Sequence, residues 1–598
     1  MSLLEQVKTS RDIKGLSVDE LAALAGEIRE RIIGVVKNNG GHLSSNLEAV
    51  DLIVALYYVF DFPTDKLIFD VGHQSYAHKI LSGRNDLFDT IRQYGGISGF
   101  PNMAESVYDA FGAGHAGSSL SASLGYCAAR DALGEDYTVI DLVGDASFFN
   151  GEYLEAVSSE TVKPRKLIII LNDNGMSISR NNNALYKFFS GITTKKSYGK
   201  FMYFAEKTLG KTFLGRALKR FKSFIKFNIN KTTIVESLGL KYVGIFDGNN
   251  VKELVRILQN LKFADRAVLL HLKTVKGKGM PEAESKADTY HGIGKNLVTN
   301  GNTFAASAGR ALCKAAEQNS RITAICAGMK DGTGLNAFAE KYPERFFDAG
   351  IAEEHAVTFA AGQAAGGLRP FVCIYSTFLQ RAYDQIMQDV CIQGLPVVFL
   401  VDRAGAVGSD GVTHQGLFDI SYLRSIPGLY IFAPKDSAEL EETINHCLSL
   451  KKPCAVRYPN GLFADFDTHT GYGESLWEKY GEGDNVILAV GPRALATAFE
   501  VQKTAGNGVT VVNARSIRPM DEKLLDEIKY KNIITVEENV VTGGFGSGVT
   551  EYYAGKGIRA SVKIFAFPDG YVDHAPQDVQ LKLAGITAEE IGKALKTT

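Results

Sequence analysis

The sequence is short of several features that would fix a protein's class at once. Its seven cysteines (127, 313, 326, 373, 391, 447, 454) form no C-x-x-C pair and lie inside apolar stretches. A disulfide framework or a cysteine zinc site is therefore not expected, and they read as small core residues of a reduced, intracellular chain. The histidines show no H-x-x-x-H spacing, which argues against a helical zinc site. No apolar run reaches the roughly 18 residues that cross a bilayer. The start, MSLLEQVKTSRDIKGLS, has no charged segment leading into an apolar one, so no signal peptide is expected. Net charge is also nearly absent, at −2 from 65 basic and 67 acidic residues, so nothing global points to nucleic acid. These absences predict a soluble cytoplasmic protein with no stable membrane association.

The charge is unevenly placed. Residues 185–232 carry twelve Lys or Arg and a single acid, Glu206. Within them, 213–227 (FLGRALKRFKSFIKF) sets Phe213, Ala217, Phe221, Phe224 and Ile225 on one helical face. An interfacial helix has that pattern, but a basic surface helix or mobile flap near anionic ligands is the preferred reading.

What is present is ordinary globular material in quantity: 598 residues, 45% hydrophobic and 22% charged. At roughly 100–200 residues per domain, that is several cores' worth of chain. Short β-branched runs alternate with helical patterns throughout, the mark of parallel α/β sheets. The clearest strands are 137–143, 166–172 and 267–272; then 322–327, 371–375, 396–402 and 429–433; then 486–490, 509–513, 533–537 and 562–566. Polar stretches at 276–302 and 463–484 separate the three series and read as linkers. An α/β fold of three parallel-sheet domains follows, at 1–298, 299–466 and 475–598.

Strand 137–143 runs into Gly144-Asp145-Ala146-Ser147, and strand 166–172 into Asn172-Asp173-Asn174. Open α/β sheets bind ligands at such carboxyl strand ends. A magnesium ion carrying a diphosphate needs only one or two protein oxygens. Asp145 and the side-chain oxygen of Asn174 could supply them, with the carbonyl of Met176 as a third; Asx-capped turns are the alternative. Five histidines stand in conspicuous settings: His42, His73, His115, His355 and His414. Beside glycine, an imidazole can approach a ligand closely to donate to phosphate or move a proton. Glu353 opens an apolar-periodic helix, where the helix dipole alone would favour an acid. The loop 402–416, DRAGAVGSDGVTHQG, carries Arg403, Asp410 and His414 at a strand end. Gly543-Gly544-Phe545-Gly546-Ser547-Gly548 imitates a dinucleotide fingerprint, but no acidic residue follows at the expected distance; a tight strand-to-helix turn is expected.

Taken together, I-A-E-x-H, I-Y-S-T-F-L-Q-R-A-Y-D-Q, D-R-A-G-x-V-G-x-D-G-x-T-H-Q-G and A-V-R-Y-P resemble the 1-deoxy-D-xylulose-5-phosphate synthase family. G-H-x-x-S, D-V-G-H-Q-x-Y-x-H-K-I-L-x-G-R and T-I-R-Q-x-G-G follow that family's order in the first half. The resemblance implies two thiamine diphosphate-binding domains and a transketolase C-terminal-like domain. It also implies a transferase that condenses pyruvate with D-glyceraldehyde 3-phosphate, releasing carbon dioxide. The product would feed isoprenoid, thiamine and pyridoxal precursors. Thiamine diphosphate and Mg²⁺ would be the cofactors, and the assembly a homodimer. Ordinary transketolases share the cofactor but lack the D-R-A-G-x-V-G element. The alternatives are a transketolase-type enzyme with another donor or acceptor, and a diverged paralogue of low activity.

Carried over position by position, Glu353 would act on the cofactor's aminopyrimidine and Phe378 would stack on that ring. Asp145, Asn174 and Met176 would hold the metal. His73, Gly114, His115, Ala116, Ala146, Ser147, Asn174, Lys276 and Met280 would contact the cofactor. His42 and His414 would move protons. Arg403 and Arg457 would clamp the aldehyde's phosphate, with Tyr375, Arg381 and Asp410 completing the acceptor pocket. Several positions depart from the family's pattern: Ala146 replaces a glycine, Met280 a tyrosine, Asn46 and Glu48 stand where small residues are usual, and Phe148-Phe149-Asn150-Gly151 continues the metal loop unusually.

Overall fold

The structure is a computed structural model that describes residues 2–159, 164–175, 238–287, 289–293, 303–461, 466, 469–473 and 475–596. The basic insert 185–232 and Met176 lie outside the described residues. The chain divides into two compact units, Met1–Leu297 and Val298–Thr598.

In the first unit, five parallel strands form one sheet: β1 (Lys66–Phe69), β2 (Val139–Gly144), β3 (Leu167–Asp173), β4 (Lys241–Asp247) and β5 (Val268–Lys273). Their order is β1-β2-β3-β5-β4. Every residue of β3 is buried, which is why LIIILND reads as a continuous run and not an alternating one. Helix Ser44–Val59 is apolar nearly all round and buried over almost its whole length, so it lies inside the unit. Register sets Gly144 opposite Asn172. Asp145 and Asn174 therefore leave neighbouring strands at the same edge.

The stretch read as a linker from 276 is not one. Residues 276–293 belong to the first unit: Gly277 N–H donates to the Ser44 carbonyl at 2.9 Å, and Gly292–Ile293 pairs antiparallel with Gly41–His42. The segment shows no period because its helix, Pro281–Ser285, and its strand, Gly292–Ile293, are only five and two residues long.

The second unit holds two sheets. Seven strands form the first: β6 (Ile322–Cys326), β7 (Phe346–Asp348), β8 (Arg369–Tyr375), β9 (Val398–Asp402), β10 (Tyr430–Phe432), β11 (Cys454–Arg457) and β15 (Ser516–Arg518). The order is β15-β10-β11-β9-β8-β6-β7, parallel except for β15. The second sheet contains β12 (Glu478–Tyr480), β13 (Asn485–Ala489), β14 (Val509–Asn513), β16 (Asn532–Val540) and β17 (Ser561–Phe567), ordered β12-β14-β13-β16-β17, with β12 antiparallel. Thus β15, from the chain's last segment, completes the sheet of the segment before it. The polar stretch 463–484 also supplies structure, since it contains β12 and the buried Trp477, whose indole N–H donates to Ser516 O at 2.7 Å. Among the described residues, no helix is long and apolar enough to cross a membrane.

Candidate active site

In the first unit the strand ends carry an unusual concentration of buried acid. Asp145 is 3% exposed; its Oδ1 accepts the Ala146 N–H at 3.0 Å, and its Oδ2 has no partner among the described residues. Burial, then the charges of Asp173 and Glu48, push its carboxyl well above the usual range, and Lys276 pulls the other way. An unsatisfied buried oxygen of this kind costs about 1–3 kcal/mol or more, so a fold selected for stability alone would not keep it. Ala146 sits at φ −71°, in the right-handed region. The family's glycine is therefore not needed here for its backbone freedom.

Three histidines cluster beside these acids. The ring centroids of His42 and His73 are 5.7 Å apart, those of His42 and His291 5.6 Å, and those of His73 and His291 5.5 Å. Burial and the nearby Lys276 hold His73 down to about 3, and burial first, then Lys276, hold His291 well below the usual histidine range. Both are neutral imidazoles at pH 7. Asn46, one of the departures, staples the loops that carry them: its Nδ2 donates to the carbonyls of His42 and His73, both at 2.7 Å, and its Oδ1 accepts the Tyr76 N–H at 2.8 Å. His291 escaped the sequence reading because it falls in the supposed linker; its Tyr290-His291-Gly292 context was the available signal.

The Gly114-His115-Ala116-Gly117 loop is fixed from below by Asp70, which accepts the N–H of Gly117 at 2.8 Å and that of Ser119 at 3.3 Å. Gly117 has φ +96°, and a Cβ there would lie 2.1 Å from Asn150 Oδ1, so only glycine fits. Gly114, Ala116 and Ser147 are buried. Met280 is packed into the unit's main apolar cluster, a core position.

The second unit assembles a different kind of site. Glu353 is the first residue of helix Glu353–Ala365 and is 4% exposed. Its Oε2 has no partner among the described residues. Burial pushes its carboxyl up to about 7, against the pull of its own backbone N–H and of Arg381. At the end of β8, Tyr375 and Phe378 stack at 5.7 Å, and the His414 ring meets Phe378 edge-on at 5.6 Å. The Arg403 guanidinium lies 4.1 Å over the Tyr375 ring and 3.7 Å from Asp410. The loop bearing these residues is pinched by a reciprocal backbone pair between Gly405 and Gly416. A Cβ on Gly416 would meet Arg403 O at 2.1 Å. Thr377 Oγ1 donates to Thr413 O at 2.8 Å, tying His414's neighbour to the strand end.

Glu353, Tyr375, Phe378, Arg381, Arg403, Asp410 and His414 thus share one region. Arg457 is differently committed: its Nε and Nη2 donate to Asp419 at 2.8 and 3.2 Å, and Nη2 also reaches Glu538 O at 3.1 Å. His355 is exposed on its helix, against Phe359. The fingerprint-like loop at 543–548 opens helix Phe545–Gly555, as a tight turn should. The amides of Phe545 and Gly546 donate to Glu537 at 2.7 and 2.8 Å. The chain's own carboxylate fills the position a phosphate would take.

Comparison with known proteins now decides the family. Residues 4–274 match the family described as 1-deoxy-D-xylulose-5-phosphate synthase, 301–464 the transketolase pyrimidine binding domain, and 478–591 the transketolase C-terminal domain. The 1-deoxy-D-xylulose-5-phosphate synthase of Carboxydothermus hydrogenoformans is 44% identical over 610 residues, covering 98% of each chain. The chain belongs to the 1-deoxy-D-xylulose-5-phosphate synthase family. The Aquifex aeolicus synthase is also 44% identical, over 99% of this chain and 98% of its own. Among solved structures, the transketolase of Campylobacter jejuni is 17% identical, covering 98% of this chain and 100% of its own, with a TM-score of 0.43.

Proposed function

We propose that the protein condenses pyruvate with D-glyceraldehyde 3-phosphate, taking up one proton and releasing carbon dioxide, to give 1-deoxy-D-xylulose 5-phosphate. The observation that carries this reading is the pair of buried carboxylates with an unused oxygen, Asp145 and Glu353, within a chain 44% identical to synthases of that name. Thiamine diphosphate, when bound, supplies the electron sink for decarboxylation and the carbon nucleophile for the condensation.

The donor set of the first unit fits a metal-diphosphate. Asp145 Oδ2 is an oxygen without a partner among the described residues, and the Asn174 side-chain carbonyl would add a neutral donor, a set suited to a hard divalent cation. Lys276 brings a cation for the diphosphate, and the Gly114–Gly117 loop brings small residues and backbone amides close together. Neutral His73 and His291 can donate to phosphate oxygens without adding charge.

In the second unit, Glu353 would hold and return a proton at the pyrimidine N1′, a task suited to a carboxyl raised to about 7. The Tyr375–Phe378 stack would take the flat ring. His414 and His42 would move protons on the reacting oxygens. Arg403, steadied by Tyr375 and Asp410, would seat the aldehyde's phosphate, while Arg457, bonded twice to Asp419, would act at one remove. The proposal extends to organisation as 1–298, 299–466 and 475–598, read from the three series of strands, to a cytoplasmic location, read from the composition, and to a homodimer and Mg²⁺, which the family resemblance implies.

The test is incubation of the purified protein with ¹³C-pyruvate, the triose phosphate, thiamine diphosphate and Mg²⁺, followed by NMR. Labelled deoxyxylulose phosphate and carbon dioxide are expected. Turnover of ketose phosphate donors with no deoxyxylulose phosphate would overturn the assignment.

A further inference from the structure

Position 48 holds a buried glutamate in the second turn of helix Ser44–Val59, with its side chain turned into the strand ends. The carboxylate accepts three hydrogen bonds from two asparagines. Asn174 Nδ2 donates to both Oε1 and Oε2, each at 3.0 Å, and Asn172 Nδ2 donates to Oε1 at 3.0 Å. Glu48 is itself held in place, since Asn249 Nδ2 donates to its carbonyl at 2.9 Å and to Asp51 at 3.2 Å. Arg29 pairs with the same Asp51.

An asparagine amide has an NH₂ end and a carbonyl end of nearly the same shape, and only its partners decide which points where. A carboxylate accepts and never donates, so Glu48 takes the NH₂ end of each asparagine and turns each carbonyl oxygen away from itself. For Asn172 the result is visible: its Oδ1 accepts Thr274 Oγ1 at 2.8 Å. For Asn174 it decides whether a cation meets an oxygen or an NH₂ group.

We propose that Glu48 is a positioning residue for the divalent cation of the diphosphate site, locking the Asn174 amide so that its oxygen faces the metal. This inference rests on the reading that Asp145 and Asn174 hold that cation. Glu48→Gln makes the prediction sharp. The oxygen of the introduced amide keeps Asn172, but its NH₂ group takes the place of Oε2 and meets the Asn174 NH₂ head-on; turning the Asn174 amide, at the loss of its bond to Oε1, restores a donor–acceptor pair. The NH₂ end of Asn174 then turns toward the cation. Adding Asn174→Asp repairs the fault. The introduced carboxylate accepts from the new amide with one oxygen and offers the other to the metal, at unchanged net charge.

Binding of Mn²⁺ in the presence of thiamine diphosphate, followed by electron paramagnetic resonance, reads this out without turnover. Glu48→Gln is expected to weaken Mn²⁺ at least tenfold, within the range found for residues that orient metal ligands. The double variant, Glu48→Gln with Asn174→Asp, is expected to bind within threefold of wild type. Wild-type affinity in Glu48→Gln, or no recovery in the folded double variant, overturns the proposal. Should Glu48→Gln fail to fold, the double variant alone decides, by the same threefold criterion. Wild type that binds no Mn²⁺, or Asp145→Asn that binds it as wild type does, overturns the cation reading and this inference with it.

Discussion

Glu353 and Glu537 are the same residue in comparable burial, and burial pushes both carboxyls up to about 7. At Glu537 the helix Phe545–Gly555 turns two amides onto the two oxygens, one each. At Glu353 the carboxylate stands on the first turn of its own helix, and Oε2 has no partner among the described residues. Desolvation therefore raises structural and functional carboxylates alike. What separates them is whether both oxygens are used. By that criterion Asp145 sides with Glu353, since Ala146 engages its Oδ1 and nothing described engages its Oδ2.

The largest effect is expected at Glu353. Glu353→Gln keeps the shape but removes the titrating group, and should lower kcat by about 10²–10⁴, with far-UV circular dichroism unchanged and urea stability at pH 7–8 no lower than wild type. A loss under tenfold would break the distinction between the two glutamates. Next comes Asp145→Asn, which should weaken Mg²⁺ with thiamine diphosphate at least tenfold by calorimetry. The same change should raise the unfolding temperature of the cofactor-free protein at pH 7–8, because a raised folded pKa means that ionisation costs stability as pH rises. A cofactor-free protein that became less stable would count against a carboxylate kept for function.

Glu537→Gln should leave kcat per folded molecule as it is and act on stability alone. A carboxyl at about 7 when folded binds more protons between pH 4.5 and 7 than it does unfolded, so its contribution is full at low pH and lost as pH rises through 7. The variant should therefore show a shallower fall of urea stability over that window; an unchanged slope would sink the assignment. The smallest effect is expected from Ala146→Gly. With φ at −71° the glycine relieves no strain and loosens the unfolded chain, so stability should drop by roughly 0.5–1 kcal/mol in thermal unfolding.

Much of this was legible from the chain alone. Buried parallel strands such as Leu167–Asp173 announce themselves as unbroken apolar runs, and G-D and N-D-N at their ends marked the acidic edge. The strands that escaped were those without such runs. Lys241–Asp247 is half-exposed, and Lys66–Phe69, Phe346–Asp348, Cys454–Arg457, Glu478–Tyr480 and Ser516–Arg518 are three or four residues long. His291 escaped because the helix and strand around it, Pro281–Ser285 and Gly292–Ile293, are too short to show a period. Arg457 is expected from its motif to clamp a phosphate, but its bond to Asp419 joins residues 38 apart and leaves no mark on either neighbourhood.

By itself, then, the sequence determined the element types, the family and which residue types stand at the strand ends, because backbone periodicity and motif spacing are local properties of the chain. Only the tertiary structure decided what each buried polar atom does. Glu48 orients Asn174 from 126 residues away, Glu537 fills a loop built to look like a phosphate cradle, and Asp145 and Glu353 are left with an oxygen to spare. The physical reason is that a buried donor or acceptor must be matched by whatever the fold brings within about 3 Å, and that match is made between segments the sequence keeps far apart.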